Sequence, residues 1–296
     1  MPLDMKACQA AIGRLAEELN VTSEEAAFGI YSLVGETMAA AARTHATDRG
    51  VSYRGLPLLA FGGAGPIHAC YVAEQLESQK VIFPKMASVL SAYGTLVTPV
   101  RLDMARSSVM RLEAIEWSRV ESLMKEMVNE GKSALVDAGL SLESISYSYS
   151  VDMRYLGQQT EITVSLGETP PSSSALEKLE DLFRTEYENI YGLSLEGMDL
   201  EIVAWRVSSF STSDQRAALS EAPSLAAQPK GQREVYFSGG RLLAEIYDRE
   251  TLGSGQLING PCIVEERETT IFVLPSWQVT VQKDGALVAE RMGQKQ

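Results

Sequence analysis

The chain has 296 residues, enough for one large or two ordinary domains, and its 45% apolar residues supply a core that a disordered protein would lack. Its formal net charge of −13 opposes binding to nucleic acid and to anionic membrane surfaces. No apolar run approaches the ~18 residues that a membrane span needs, and the three cysteines have no metal-ligand spacing, so we expect reduced thiols and a cytoplasmic protein.

Two helices are predicted at the start of the chain. Apolar residues recur at helical spacing between Asp4 and Asn20, and Thr22 with Glu25 forms a capping box for a second helix that runs to about Thr47. We expect this helix to be packed on one side against a sheet or another helix. The predicted inward-facing residues are Ala27, Ile30, Tyr31, Val34, Met38 and Ala41.

A strand–glycine–helix turn follows, and it is the most informative segment of the sequence. The apolar strand Pro57–Phe61 leads directly into Gly62-Gly63-Ala64-Gly65, and Pro66 fits the first turn of a helix. Glycines let a backbone turn sharply or lie against a flat ligand, and the amides of a helix start attract polar or anionic groups. With the strand Lys80–Phe83, the segment predicts two parallel strands joined by a right-handed crossover.

Several familiar catalytic motifs are absent from the sequence. His68 stands where a dinucleotide fingerprint would need its third glycine, and there is no Gly-Lys-Ser/Thr phosphate loop. With His45 and His68 as the two histidines, any metal would depend on carboxylates, which favours Mg²⁺ or Mn²⁺ over zinc. His68 is a catalytic candidate, with packing or helix capping as the alternative.

The second half of the chain changes to strand-like patterning. A helix is predicted over Glu116–Ala138, before Gly139, and Ser211–Gln232 is predicted as a mobile loop. Short β segments of a sandwich or barrel-like module are expected over the last 60 or so residues. These patterns predict an α/β lobe over residues 1–110, a connecting helix over 111–144 and a β-rich C-terminal domain with one inserted helix over 145–296. The other predicted elements are strands Ser146–Tyr155, Gln159–Leu166 and Leu200–Ser209 and the helix Ser174–Ile190.

One predicted strand carries more polar side chains than a core strand should. Asp152, Arg154, Tyr155 and Gln158 form a candidate cluster that faces a substrate or a partner. Arg154 could hold a carboxylate in a bidentate grip, which also makes it a catalytic candidate. The alternative is a structural salt bridge that ties the strand to a helix. Glu265–Glu268 are interpreted as a solvated charged turn, with a metal-binding role as the alternative.

Six motifs occur in the same order as in one enzyme family and together span nearly the whole chain. They are Phe61–Ala69, Ser88–Gly94, Asp152–Gln158, Tyr191-Gly192, Tyr247–Arg249, and Gly260–Glu266 with Thr269-Thr270. This series resembles the hydantoinase A / 5-oxoprolinase family, which also includes one subunit type of the acetone and acetophenone carboxylases. A single motif of this kind would be weak evidence, whereas six in order are specific.

The resemblance implies a fold and a cofactor. The family's larger fold is similar to the actin, sugar kinase and Hsp70 ATPases, in which a strand–Gly-Gly–helix turn contacts the adenosine of ATP. By this likeness Gly62, Gly63, Ala64 and Gly65 would bind the cofactor. Members use ATP with Mg²⁺ or Mn²⁺ to open a cyclic amide, such as a hydantoin or 5-oxoproline, or to activate a ketone for carboxylation. Phosphorylation makes a good leaving group of an oxygen that would otherwise leave poorly.

The resemblance also implies partners. Family members carry an N-terminal half with an Asp-x-Gly-Gly-Thr phosphate motif, which these 296 residues lack. We therefore expect the C-terminal portion of an ATP-dependent cyclic-amide hydrolase subunit, inactive alone, that acts with such an N-terminal half and a hydantoinase B-type subunit. The alternatives are a subunit of an ATP-dependent ketone carboxylase and a non-catalytic assembly module.

Overall fold

The computed structural model describes residues 4–172, 176–195, 197–212 and 221–293. The helices are α1 (Met5–Leu19), α2 (Ser23–Asp48), α3 (Gly65–Gln75), α4 (Leu90–Val97), α5 (Trp117–Asp137) and α6 (Leu176–Tyr191). The strands are β1 (Leu58–Leu59), β2 (Lys80–Phe83), β3 (Arg101–Arg111), β4 (Ile145–Tyr155), β5 (Ile162–Gly167), β6 (Leu200–Ser211), β7 (Gly231–Phe237), β8 (Gly240–Asp248), β9 (Leu257–Asn259), β10 (Cys262–Glu265), β11 (Thr270–Val273), β12 (Trp277–Val281) and β13 (Leu287–Arg291). Within these residues, no helix combines the length and apolar character needed to cross a membrane.

The predicted helices and strands agree closely with the structure, apart from α4, β3 and β9, which no pattern predicted. Part of the predicted loop Ser211–Gln232, residues 213–220, lies outside the described residues. The fold is mixed α/β and divides into two compact units: unit 1 comprises residues 1–96 and 217–296, and unit 2 comprises residues 97–216. Unit 1 consists of two separate stretches of sequence, so these boundaries differ from those of the continuous domains predicted from the sequence, which were divided at residues 110 and 144.

Unit 1 contains two sheets. The five-stranded sheet has the order β1-β2-β13-β12-β9, in which β1 and β2 are parallel and β13 pairs antiparallel with β2. The four-stranded sheet has the order β11-β10-β8-β7. The last strands of the chain therefore complete the sheet that the N-terminal strand–helix–strand segment begins, instead of forming a separate module. Pairing between distant segments depends on tertiary packing and leaves no periodic signal in the sequence.

The core of unit 1 surrounds helix α3. Ala69, Cys70 and Ala73 of this helix lie in one buried cluster with Phe83 of β2 and Ile271 of β11. Small side chains allow the helix to approach both sheets closely, and the apolar strand residues fill the remaining space. This packing fixes the start of α3, and with it the glycine turn.

Unit 2 consists of a four-stranded antiparallel sheet and two helices. The strand order is β3-β6-β4-β5, and α5 and α6 contribute Met127 and Phe183 to the same core as Trp205 of β6. Gly131 of α5 approaches β6 so closely that a Cβ would meet the Ser209 side chain. The predicted connecting helix thus packs on the sheet that follows it.

Helix α2 has the predicted capping box, but most of the residues predicted to face inward are exposed. Thr22 accepts a hydrogen bond from the Glu25 amide, and the Glu25 carboxylate accepts one from the Thr22 amide. The buried positions of the helix are Ala26, Gly35 and Ala39. Ile30, Val34 and Met38 are exposed, so the predicted inward face is wrong for these three, whereas Tyr31 packs against His68 and Tyr71 of α3 as predicted. Periodicity reveals an apolar stripe but does not determine what the stripe contacts.

Gly35 is the closest point between α2 and α3. A Cβ there would lie 2.8 Å from Tyr71 Cε1 and nearer still to Cδ1, and a ring carbon held in a packed helix pair cannot move aside freely. We expect Gly35→Ala to destabilise the protein by about 1–3 kcal/mol through overpacking. The free energy of unfolding from a denaturant titration measures the effect.

Gly29→Ala is the matched control, because Gly29 lies in the same helix with nothing near its Cβ position. That variant should stabilise the protein by about 0.5–1 kcal/mol through helix propensity alone. Equal effects of the two variants would contradict the close α2–α3 contact.

Candidate functional site

The backbone of the predicted cofactor-binding turn, Gly62–Gly65, is held in place by hydrogen bonds to two other segments of the chain. The Gly62 amide donates to the Ala87 carbonyl at 2.8 Å, and the Thr269 hydroxyl donates to the Gly63 carbonyl at 2.7 Å. Gly62 has a φ of 95°, a conformation that side-chain-bearing residues rarely adopt. The turn is therefore fixed in shape, and a glycine is required at its first position.

The same turn is open on its outer side. A Cβ built at Gly62 or Gly65 would meet nothing within 4 Å, and one built at Gly63 would meet only the Glu268 carbonyl oxygen, at 3.9 Å. No side chain caps the start of α3, so the amides that begin this helix carry no side-chain acceptor. Apart from the Ala64 methyl group, the turn thus presents a backbone surface free of side chains, with donors beside it.

A mixed-charge cleft of about 700 Å³ is lined by residues next to those that hold the turn, although none of Gly62–Gly65 lines it. Ser88 lines this cleft and follows Ala87, whose carbonyl accepts from Gly62. Glu268 also lines it and precedes Thr269, whose hydroxyl donates to Gly63. Lys85 and Lys230 supply positive charge, and Lys230 pairs with Glu265 at 2.8 Å. Its volume is in the range of small-molecule sites.

A buried ion pair forms one wall of the cleft. Arg249 donates to Glu266 at 2.8 Å and to the carbonyl oxygens of Phe83 and Gly285 at 3.0 Å each. Burial lowers the pKa of Arg249 and raises the pKa of Glu266, and their mutual attraction opposes both changes. The interpretation of Glu265–Glu268 as a solvated turn is wrong for Glu266, because its buried partner lies 17 positions away and no local pattern indicates it.

His68 faces α2 and not the open side of the turn. Its ring stacks on Tyr31 with centroids 4.7 Å apart, and its Nδ1 is buried without a hydrogen-bond partner among the described residues. The Tyr31 hydroxyl donates to the Ile67 carbonyl at 3.1 Å, which fixes the stacking partner. This geometry supports a packing role between two helices.

The two buried cysteines are also part of the core. Burial raises the pKa of Cys70 to about 12 and that of Cys262 to about 12. Thiols with such pKa values stay protonated near neutral pH and are poor nucleophiles.

The polar cluster predicted on β4 lies in unit 2, and its members have partners there. Asp152 is almost fully buried and accepts from Thr163 and from Arg206, at 2.7 Å each. Arg154 donates to Glu201 at 2.6 Å across the β4–β6 pair. These contacts tie β4 to both neighbouring strands and occupy the carboxylate and guanidinium groups.

Tyr155 and Gln158 extend the same set of contacts toward α6 and the loop after it. The Tyr155 hydroxyl accepts from the Leu195 amide at 2.9 Å, and its ring packs edge-on against Phe183. Gln158 donates to the Tyr187 hydroxyl at 2.9 Å. The four predicted residues therefore bond to separate partners, and Tyr155 lies on the core face of β4, opposite to Asp152 and Arg154.

Comparison with known proteins identifies the class of protein. Two family models match the chain: Hydantoinase/oxoprolinase over residues 1–104 and Hydantoinase/oxoprolinase C-terminal domain over residues 112–287. The chain therefore belongs to the hydantoinase/oxoprolinase family, which confirms the resemblance seen in its motifs.

A caprolactamase subunit and a 5-oxoprolinase are among the relatives by sequence whose names state an activity. The chain is 31% identical over 286 residues to caprolactamase subunit alpha of Pseudomonas jessenii, covering 92% of this chain and 41% of that protein. It is 30% identical over 305 residues to 5-oxoprolinase 1 of Arabidopsis thaliana, covering 98% of this chain and 24% of that protein. The chain thus spans less than half the length of the relatives that it matches.

Solved structures support the same relationship. The crystal structure of the ATP-dependent caprolactamase from Pseudomonas jessenii superposes with a TM-score of 0.75 and 28% identity, covering 98% of this chain and 43% of that one. Nucleotide-free acetone carboxylase superposes with a TM-score of 0.81 and 20% identity, covering 99% of this chain and 43% of that one. At that identity the likeness to acetone carboxylase is one of fold.

The stacked His68 leads to a pH-dependent stability. Burial lowers the pKa of His68 from its ordinary 6.5, so its contribution to stability is complete above pH 6.5 and is lost as the pH falls through the lower folded-state value. Replacing it by His68→Phe keeps a ring against Tyr31 and removes the titration. We expect this variant to lose less free energy of unfolding than the wild type between about pH 8 and about pH 5.5.

His45→Gln is the control, because His45 is the other histidine and lies on an exposed position of α2. It should keep the full wild-type loss of stability on acidification. A His68→Phe variant that loses as much as the wild type would show that His68 contributes nothing to the pH dependence.

Proposed function

We propose that this chain supplies the adenosine-side edge of the ATP site in an ATP-dependent cyclic-amide hydrolase. The observation that carries the proposal is the rigid, outward-open glycine turn beside a cleft of about 700 Å³. By likeness to the actin and Hsp70 type of ATPase, unit 1 would be one lobe of such a fold. The names and sequence identities of caprolactamase and 5-oxoprolinase support a cyclic amide as the substrate class.

The residues present fit a nucleoside. Gly62 and Gly63 leave the space of two side chains empty, so a planar base or a ribose can lie directly against the backbone. The exposed carboxylate of Glu268 and the hydroxyl of Ser88 stand in the adjoining cleft, where they can accept from and donate to ribose hydroxyls. The Arg249–Glu266 pair braces the cleft wall, because its hydrogen bonds reach β2 and the loop before β13.

The same residues do not complete a catalytic centre. Among the described residues, no three His, Cys, Asp or Glu side chains converge on a point that could hold a metal ion. We therefore assign the metal-binding and phosphate-binding groups to a second segment, which we call the companion segment. It is the sequence from the same organism that corresponds to the part of caprolactamase subunit alpha not matched by this chain. ATP would supply the phosphoryl group that activates a carbonyl oxygen of the substrate. A hydantoinase B-type subunit would complete the hydrolysis.

The isolated chain should not hydrolyse ATP, because in-line phosphoryl transfer needs groups on both sides of the triphosphate. Phosphate release by the purified 296-residue chain should equal the background of a protein-free sample. Turnover above that background would contradict the division of the site between two lobes.

The variant Gly63→Ala tests directly whether the glycine turn binds the nucleoside of ATP. Its Cβ has room within the protein and Gly63 does not have a positive φ, so folding should be unaffected, whereas the methyl group would occupy the space proposed for the nucleoside. We expect the ATP affinity of the chain bound to its companion segment, measured by calorimetry, to fall at least about tenfold, equivalent to about 1.4 kcal/mol.

Gly13→Ala is the matched control, since Gly13 in α1 also has nothing near its Cβ position and lies outside the turn. It should leave ATP affinity unchanged. Equal ATP affinities of the Gly63→Ala variant and the wild type would remove the turn from the nucleotide site.

A ketone carboxylase subunit is the second candidate, because the fold is shared with acetone carboxylase over nearly the whole chain. The fold does not distinguish the two reactions, and the sequence identity to caprolactamase favours the hydrolase. ATP turnover by the co-expressed complex over hydantoins, lactams, 5-oxoproline and ketones separates them. Stimulation by ketone with bicarbonate, and not by cyclic amides, would establish the carboxylase instead.

A further inference from the structure

Three of the motifs in the sequence meet around Arg249 in unit 1. They are Phe61–Ala69, Tyr247–Arg249, and Gly260–Glu266 with Thr269-Thr270. The proposed function uses the first of them for binding and gives the arginine at the end of the second no part in it. Arg249 is buried, and a buried guanidinium is stable only where its N–H groups meet acceptors. Its hydrogen bonds therefore show which parts of the chain it holds.

The first contact of Arg249 reaches the segment that holds Gly62. Its Nη2 donates at 3.0 Å to the carbonyl of Phe83, the last residue of β2. Pro84 follows with a fixed φ, and the buried Ala87 then accepts from the Gly62 amide at 2.8 Å. Arg249 thus fixes the start of a short segment whose end accepts a hydrogen bond from the glycine turn.

The second contact reaches the segment that holds Gly63. Arg249 Nη1 donates to the Glu266 carboxylate at 2.8 Å, and the Glu266 amide donates to the Thr269 carbonyl at 2.9 Å. That amide closes the turn between β10 and β11, and the Thr269 hydroxyl at the end of this turn donates to the Gly63 carbonyl at 2.7 Å. Both segments that hold the glycine turn are therefore attached to one guanidinium group.

A third contact accounts for the choice of arginine. Nη2 also donates at 3.0 Å to the Gly285 carbonyl, in the turn between β12 and β13, and β13 pairs with β2. The Arg249 backbone is itself fixed by a short helical turn, in which the Asp248 side chain accepts from the Glu250 amide at 3.1 Å. A guanidinium presents several N–H donors in a rigid planar fork, whereas a lysine ammonium is a point charge on a flexible stem. The fork can hold three segments in register, and an ammonium cannot reproduce that geometry.

We propose that Arg249, paired with Glu266, is a positioning residue that sets the places of Gly62 and Gly63 together. The proposal rests on the proposed function for the ligand of the turn, and it adds the group that keeps the turn in its binding shape. Because Arg249 acts through the two attached segments, its replacement should loosen the turn without removing any atom of the turn itself.

The test is hydrogen exchange of two amides in the variant Arg249→Lys, measured by NMR. The Gly62 amide reports on the first attached segment, and the Glu266 amide reports on the second. Both amides should exchange at least about tenfold faster than in the wild type, because each segment loses the support of the guanidinium. The substitution keeps a positive charge beside Glu266, so the variant should fold, as its circular dichroism and thermal transition will report.

Two variants of Glu266 separate the attachments and also serve if Arg249→Lys does not fold. Glu266→Gln keeps an oxygen that accepts from Arg249, so both amides should exchange within about twofold of the wild type. Glu266→Ala has no such oxygen, so the amide of residue 266 should exchange at least about tenfold faster, while the Gly62 amide, held through Phe83, stays within about twofold. Equal exchange at residue 266 in these two variants would contradict an attachment through this hydrogen bond.

Ser78→Ala is the control, because the buried Ser78 hydroxyl also donates to backbone carbonyls of unit 1, and removing it should destabilise the same unit. Its acceptors are Leu56 at 2.6 Å and Lys80 at 3.0 Å, which lie before β1 and at the start of β2. The control should lower the melting temperature and leave the exchange of the Gly62 amide unchanged. If it accelerated that exchange as much as Arg249→Lys does, a general loss of stability would be the cause, and the proposal would fail.

Calorimetry with the companion segment connects the position of the turn to ATP. The ATP affinity of the complex that contains Arg249→Lys should fall at least about tenfold, and that of the complex with Ser78→Ala should equal the wild type. Arg249→Lys with unchanged exchange at Gly62, or with the ATP affinity of the wild-type complex, would overturn the proposal. A wild-type complex that binds no ATP, together with the faster exchange in Arg249→Lys, would contradict the proposed ATP site and sustain the positioning role of Arg249.

Discussion

The position of helix α3 is the constraint on which unit 1 depends. The helix is buried against both sheets of unit 1, and side chains as small as Ala69 and Ala73 let it lie close to each. Because its first turn is fixed by that packing, the preceding glycines have little freedom to move. The Thr269 hydroxyl then secures the Gly63 carbonyl from the C-terminal part of the chain. An open backbone surface on a rigid support is what a pre-organised binding site requires.

The contact between α2 and α3 likewise depends on a small residue. Gly35 allows the Tyr71 ring to lie against the α2 backbone, and Tyr31 fills the next turn by stacking on His68. The side of α2 that makes these contacts therefore combines a glycine with an aromatic ring. Helix α1 is the other helix that packs on α2, and Ile30, Leu33, Val34 and Met38 stay exposed beside these contacts.

Local elements of this fold could be predicted from the sequence, whereas their partners could not. Pro66 and the strand Lys80–Phe83 lie within a short stretch, and the structure places them as the pattern predicts. The pairing of β13 with β2 joins segments about 200 residues apart, so no local period reveals it. For the same reason the sharp turn between β1 and α3 was predictable from its glycines, but the Arg249–Glu266 pair was not.

Polar residues grouped in a sequence do not have to face a ligand. Asp152 and Arg154 belong to a family-like motif, yet their charges are neutralised by Arg206 and Glu201 on the adjoining strand. Leaving a buried carboxylate such as Asp152 unpaired would cost several kcal/mol, which accounts for its partners without any ligand. The glycine turn differs in kind, because nothing in the internal packing fills the space in front of it. The unfilled space beside the rigid glycine turn is thus a feature that internal packing leaves unexplained, whereas the grouped charges of β4 are accounted for by their own partners.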